Sequence, residues 1–184
     1  MEFQGFPKMC RLSRDIVITE KIDGTNAQIY ITEPDEEGNM KMLAGSRSRW
    51  ITPEDDNYGF ARWVRDNAQE LMQLGPGQHF GEWWGLGIRR KYGMKEKVFS
   101  LFNTHRWSDH LLRPACCSVV PVLYSGAFNT QITDAMIFLL ERQGSKAAPG
   151  YLKPEGICIY HTAGNFYMKK TIDKDEVPKG TWAK

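Results

Sequence analysis

Short apolar–polar runs of strand length dominate the chain, at residues 15–22, 27–32, 40–45, 79–85, 97–103, 118–124, 155–161 and 165–171. Two segments keep helical spacing instead. Over 58–74 the apolar positions are Phe60, Trp63, Val64, Ala68, Leu71 and Met72, and Gly75-Pro76-Gly77 ends the run. Over Thr130–Gln143 they are Ile132, Met136, Ile137, Leu139 and Leu140. Many strands, two interspersed helices and no regular βαβ alternation predict an α+β fold built on antiparallel sheets. Residues 34–39 read as a polar hairpin tip. A charged tail starts at Asp173 and ends soon after Pro178.

Composition narrows the class but not the activity. The 184 residues are 41% hydrophobic and 25% charged, which suits one soluble globular domain, 1–184, with 172–184 as a short tail. A formal net charge of +2 says little about partners. Any nucleic-acid surface must come from local clusters: Arg47, Arg49, Arg62 and Arg65, or Arg89, Arg90, Lys91, Lys95 and Lys97. Each cluster reads equally as a solvated face. No apolar run is long enough to span a membrane, and the first residues carry no signal-peptide pattern. The expectation is an intracellular, cytoplasmic protein with no membrane partner. Cys10, Cys116, Cys117 and Cys158 form no Cys-x-x-Cys pair and read as reduced thiols, and no histidine has a metal-ligand spacing.

The chemistry concentrates in five segments. Glu20-Lys21-Ile22-Asp23-Gly24-Thr25-Asn26 places an amine, a carboxylate and a glycine in one turn between strand-like runs. Such a lysine can attack the α-phosphate of a nucleoside triphosphate and become a covalent lysyl–nucleotide. The same residues also read as a plain β-hairpin, because Asp-Gly is a strong turn signal. Attack needs the unprotonated amine, which nearby cations or desolvation favour. Lys169 and Lys170 are candidate cations. Ser46-Arg47-Ser48-Arg49 follows a strand and can aim a forked guanidinium at phosphate oxygens or a ribose hydroxyl. Phe80-Gly81-Glu82-Trp83-Trp84-Gly85 sets a carboxylate on an apolar strand, a costly place without a partner. Val98 to Asn103 can present a ring to a purine or simply pack the core. Pro154-Glu155-Gly156 opens a strand where Glu155 can hold a divalent metal or its waters. Residues 166–171 form the antiparallel partner, and strand alternation lets only one of Lys169 and Lys170 face a site.

Together these segments, in this order from about Thr19 to Thr171, resemble the covalent nucleotidyltransferase superfamily of RNA ligases, DNA ligases and capping enzymes. Lys21-Ile22-Asp23-Gly24 resembles its first motif, and 80–85 and 98–103 the third motif and the aromatic motif after it. Residues 154–160 and 168–171 resemble the fourth and fifth motifs. Asp-Gly-Thr-Asn and Phe-Gly-Glu-Trp look most like ATP-dependent RNA ligases of the bacteriophage type. The lysines of the last motif usually stand one residue apart; here they are adjacent.

The resemblance implies two antiparallel sheets with flanking helices forming an adenylation domain, and the few residues after Thr171 set the expectation of no OB-fold domain in this chain. It implies joining of 5′-phosphate and 3′-hydroxyl RNA ends through lysyl-AMP and an adenylylated 5′ end, with ATP and Mg²⁺ or Mn²⁺. By the same resemblance Lys21, Asp23, Lys169 and Lys170 are catalytic. Glu20, Asn26, Arg47, Arg49, Glu82 and Phe102 bind the nucleotide, and Glu155 the metal. Residues after Thr171 are too few for the OB-fold or helical domain of many relatives, so a separate domain or partner protein is expected to add grip on RNA. The alternatives are a DNA ligase, a GTP-dependent capping enzyme, or a nucleic-acid-binding module without catalysis.

Overall fold

The computed structural model describes residues 2–7 and 9–176. Pro178 and the rest of the tail beyond 176 lie outside the described residues. The chain divides into two compact units, crossing from one to the other at Lys21/Ile22 and at Val120/Pro121.

The first unit combines residues up to Lys21 with those from Pro121 on. Its strands are β1 (Asp15–Lys21), β8 (Val122–Ala127), β9 (Gly156–His161) and β10 (Phe166–Thr171). They form one sheet in the order β10-β9-β1-β8, antiparallel throughout. Alternation gives the sheet two different faces. Ile16, Ile18, Ile157 and Ile159 bury one face against Leu140 of helix α4 (Thr130–Gln143), with Met136 and Met168 packed around them. The helix starts where Asn129 accepts the Ile132 N–H at 2.8 Å and ends at Gly144, whose φ of 79° continues no helix.

The second unit, Ile22–Val120, holds a six-stranded sheet ordered β4-β3-β2-β5-β6-β7. These are β2 (Thr25–Ile31), β3 (Met42–Ser46), β4 (Trp50–Ile51), β5 (Gly77–Gly85), β6 (Lys97–Leu101) and β7 (Cys117–Val119). Ala27, Ile29, Ile31, Trp83, Phe99 and Leu101 point into the core. There they meet Phe60, Ala61 and Val64 of α1 (Phe60–Asp66) and Leu71 of α2 (Ala68–Leu71). A short helix, α3 (Thr104–Trp107), adds buried Trp107.

Four features depart from the sequence expectation. The β6–β7 pair is parallel, so this sheet is mixed rather than antiparallel. The strand expected over 118–124 is two strands in different sheets. Pro121 has no N–H to continue a ladder, and its carbonyl instead accepts the Glu20 N–H at 3.0 Å. The helix expected over 58–74 breaks at Asn67, whose φ and ψ of −110° and 16° leave the helical region. Finally, β1 and β2 do not pair with each other, so Ile22-Asp23-Gly24 is no hairpin tip.

Candidate active site

In the first unit, Lys21 ends β1 and Glu155 immediately precedes β9. The Lys21 Nζ donates to Glu155 Oε2 at 2.5 Å, with the two side chains only 17% and 6% exposed. Register fixes what shares the lysine's face. Lys21 lies opposite Gly156, Thr19 opposite Cys158, and Val17 opposite Tyr160. Across β9, Cys158 lies opposite Lys169 and Tyr160 opposite Tyr167. Lys169 therefore projects from the same sheet face as Lys21, two strands away. Lys170 alternates to the helix side, where its Nζ donates to Asp134 of α4 at 2.5 Å.

Glu20 also faces the helix side and is buried. Its Oε1 accepts from Ser145 Oγ at 2.6 Å, and its Oε2 from the N–H groups of Lys146 at 2.7 Å and Ala147 at 2.9 Å. The carboxylate thus ties the loop after α4 to the residue next to Lys21. Both the side chain and the N–H of Glu20 are engaged within the unit.

In the second unit, the Asp23-Gly24 turn is held from two sides. The Gly24 N–H donates to Glu82 Oε1 at 2.9 Å, so the buried carboxylate of β5 has a partner. A Cβ on Gly24 would sit 2.7 Å from Trp84 Cβ and collide with the Trp83 carbonyl, so only glycine lets the turn approach the strand this closely. The Asp23 N–H donates to the Tyr92 hydroxyl at 2.8 Å, and Arg90 Nε donates to Asp23 Oδ2 at 3.2 Å. Tyr92 and Arg90 belong to a loop in which Arg89, Lys91 and Tyr92 all have φ between 45° and 61°, a region non-glycine residues rarely occupy. Buried Ile88 and Tyr92 pin that loop, and the Tyr92 ring meets Trp84 edge-on at 5.2 Å.

Asn26 and Glu82 are directly paired, as are Gln28 and Phe80, and Ser100 lies across from Glu82. These residues line the sheet face opposite the core. Phe80 is half exposed there. Phe102 is partly buried just beyond β6, with its N–H on the Phe80 carbonyl at 2.9 Å. Arg49 is committed to Asp55 through two bonds of 2.6 and 2.9 Å, and its carbonyl accepts the Ser46 N–H. Arg47 in the same loop is exposed and makes no ion pair among the described residues.

Among the described residues no group of three or more His, Cys, Asp or Glu side chains is arranged to hold a metal ion. Burial and the nearby Glu70 carboxylate push the Cys116 thiol up to about 11, so it is protonated at neutral pH and a poor nucleophile. Tyr92 and Arg90 are the contacts that sequence reasoning missed. Arg90 stands out only as part of a basic run, and the aromatic residue two positions on gives no sign of its target.

The fold is similar to that of solved RNA ligase structures. One of Naegleria gruberi RNA ligase, a variant with ATP and manganese, superposes with a TM-score of 0.65 at 19% identity over 88% of this chain and 51% of that one. A variant without ligand gives 0.62 at 19% identity, over 86% and 50%. A third, with AMP and manganese, gives 0.61 at 17% identity, over 87% and 50%. The chain thus spans about half the length of the solved ligases it matches. No curated protein matches it. The RNA ligase family model matches residues 14–176, and the chain belongs to that family.

Proposed function

We propose that the protein is an ATP-dependent RNA ligase in which Lys21 forms the lysyl-AMP intermediate. The observation that carries the reading is the Lys21–Glu155 ion pair on a sheet face shared with Lys169, inside the segment that matches the family. The Lys21 amine attacks the α-phosphate of ATP. The bond from the α-phosphorus to the bridging oxygen breaks, and pyrophosphate leaves. AMP then passes to a 5′-phosphate end, and a 3′-hydroxyl displaces it to form the phosphodiester.

Attack on phosphorus uses the lone pair of the unprotonated Lys21 amine. A single buried carboxylate beside phosphates suits Mg²⁺ or Mn²⁺, which usually takes one or two carboxylates plus substrate oxygens. Glu155 is the residue that would hold such a cation, which would supply charge neutralisation at the phosphates. Lys169 stabilises negative charge that develops on the phosphates. Arg47 takes a phosphate or ribose oxygen. Glu82 and Asn26 hold the ribose side of the nucleotide, and a ring of the Phe80–Phe102 pair stacks on the base. Asp23 fixes the turn after the nucleophile. Lys170, Arg49 and the Glu20 side chain hold structure around these groups.

The reading is supported by the solved relatives crystallised with ATP or AMP and manganese. The test is incubation with ATP radiolabelled at the α-phosphate and Mg²⁺ or Mn²⁺, followed by denaturing electrophoresis. The expected result is a labelled protein with ATP, far less with GTP. Equal labelling by GTP would move the protein to the capping class, and no labelling by either would overturn the proposal.

A further inference from the structure

The face of the first unit's sheet that carries Lys21 and Lys169 also carries an aromatic pair with no part in the nucleotide chemistry. Tyr160 and Tyr167 are cross-strand neighbours on β9 and β10, with ring centroids 4.7 Å apart and planes tilted by 34°. Tyr167 is 70% exposed. Tyr160 is more covered, and its hydroxyl is fixed by donating to Asn165 Oδ1 at 2.8 Å. One ring is therefore held in place, and the other lies against it with most of its surface free. Core packing does not explain Tyr167, because the apolar core of this unit lies on the opposite face.

We propose that the Tyr160–Tyr167 pair is a stacking platform for unpaired bases of the RNA strand whose end is joined. This rests on the RNA ligase reading. Three observations favour RNA as the occupant. An exposed aromatic ring next to an exposed cation, Lys169, matches a chain of bases strung on phosphates. A protein partner would find a single large ring, bordered by an ammonium, rather than a contiguous apolar patch. The spacing also fits: Val17, in the tyrosine row, precedes Lys21 by four residues in β1, about 13 Å at ~3.3 Å per residue. With Tyr160 and Tyr167 one and two strands aside at ~4.8 Å each, the rings lie about 14 and 16 Å from Lys21 across the sheet, roughly four to five stacked nucleotides at ~3.4 Å each. The platform would thus grip bases a few positions from the reacting end, and would favour ends that are single-stranded there.

The experiment measures joining of single-stranded RNA with a pre-adenylylated 5′ end, alongside self-adenylylation with labelled ATP, for wild type, Tyr167→Leu and Tyr167→Phe. Leucine keeps apolar cover without an aromatic face. The expected result is a KM for RNA ends raised at least about fivefold in Tyr167→Leu, with self-adenylylation unchanged, and a KM within about twofold of wild type in Tyr167→Phe. An unchanged KM in Tyr167→Leu would overturn the proposal, as would an equal loss in both variants, which would implicate the hydroxyl instead of the ring. A second arm needs no substitution: RNA carrying 5-bromouridine a few positions from its end should crosslink to a peptide containing Tyr160 or Tyr167, and crosslinks confined to other peptides would contradict the platform. Failure of the ligase reading itself is separately visible, as absence of labelled protein in the wild type before RNA is added.

Discussion

Lys21 is restrained by a carboxylate 134 positions away in sequence, and both partners are largely hidden from solvent. Removing one member of such a pair leaves the other charge uncompensated, which typically costs about 3–5 kcal/mol when burial is complete and less here, where the lysine retains some solvent contact. Lys21→Ala is therefore expected to lower the melting temperature, while Lys21→Arg keeps the cation and should melt close to wild type. The turn after Lys21 offers a sharper residue-scale test. Tyr92→Phe removes the acceptor of the Asp23 N–H but keeps the ring against Trp84. The expected effect is a loss of about 1–3 kcal/mol in stability, the usual consequence of leaving a donor unsatisfied, with a slower rate of self-adenylylation. A variant with wild-type melting and wild-type rate would show that the hydroxyl does not position the turn. Lys21 and Asp23 stood out in the sequence only as parts of a motif that a plain turn also explains, whereas Glu82 stood out because a carboxylate on an apolar strand is costly without a partner. The sequence could not mark Tyr92, because the contact depends on a loop whose φ values no propensity foretells.

Strand β10 decides between two adjacent lysines. Period-two alternation says that only one can face the side of Lys21, but which one depends on the register with β9 and β1, and that is set by pairing across the sheet. The register puts Lys169 with Thr19 and Lys21, and the Lys170–Asp134 contact anchors the other lysine on α4. Lys169→Ala is expected to slow lysyl-AMP formation by about 2–4 kcal/mol of transition-state stabilisation, as loss of one electrostatic donor does. Lys170→Ala removes a solvent-exposed ion pair worth at most about 1 kcal/mol and should adenylylate nearly normally. Single-turnover rates of both variants check this, and equal large losses would refute the division of labour. The longer elements were legible because their periodicity runs over many residues: β1, β9, β10 and α4 fall within a residue or two of the sequence reading. Two-residue β4 and the parallel β6–β7 pairing were not, since the first is too short for a pattern and the second depends on partners distant in sequence.

At the scale of the whole molecule, the two units are separately packed, each with its own apolar cluster. This allows acid stability to be read in the second unit through His79. Burial holds its ring neutral below the ordinary value of 6.5, opposed by its hydrogen bond to the Gly75 carbonyl at 2.8 Å, while Arg106 adds to the lowering. In the unfolded chain the imidazole takes up a proton near 6.5, whereas the folded ring resists protonation until lower pH. The second unit should therefore lose stability as pH falls below about 6.5, down to the folded ring's own pKa. His79→Gln, which keeps a donor for the carbonyl, should flatten that part of a melting-temperature profile, and an unchanged slope would rule the histidine out as its source. The joining reaction adds another whole-molecule expectation. Phosphate contacts dominate RNA affinity, so joining should weaken steeply with salt while self-adenylylation, which binds only a nucleotide, does not.

The central claim is the covalent bond at Lys21, and peptide mapping by mass spectrometry after incubation with ATP and Mg²⁺ tests it most directly. The account predicts one AMP on the peptide containing Lys21 in the wild type, and none in Lys21→Arg, which preserves the ion pair with Glu155 but carries no nucleophilic amine. AMP on any other residue, or a labelled Lys21→Arg protein, would contradict it.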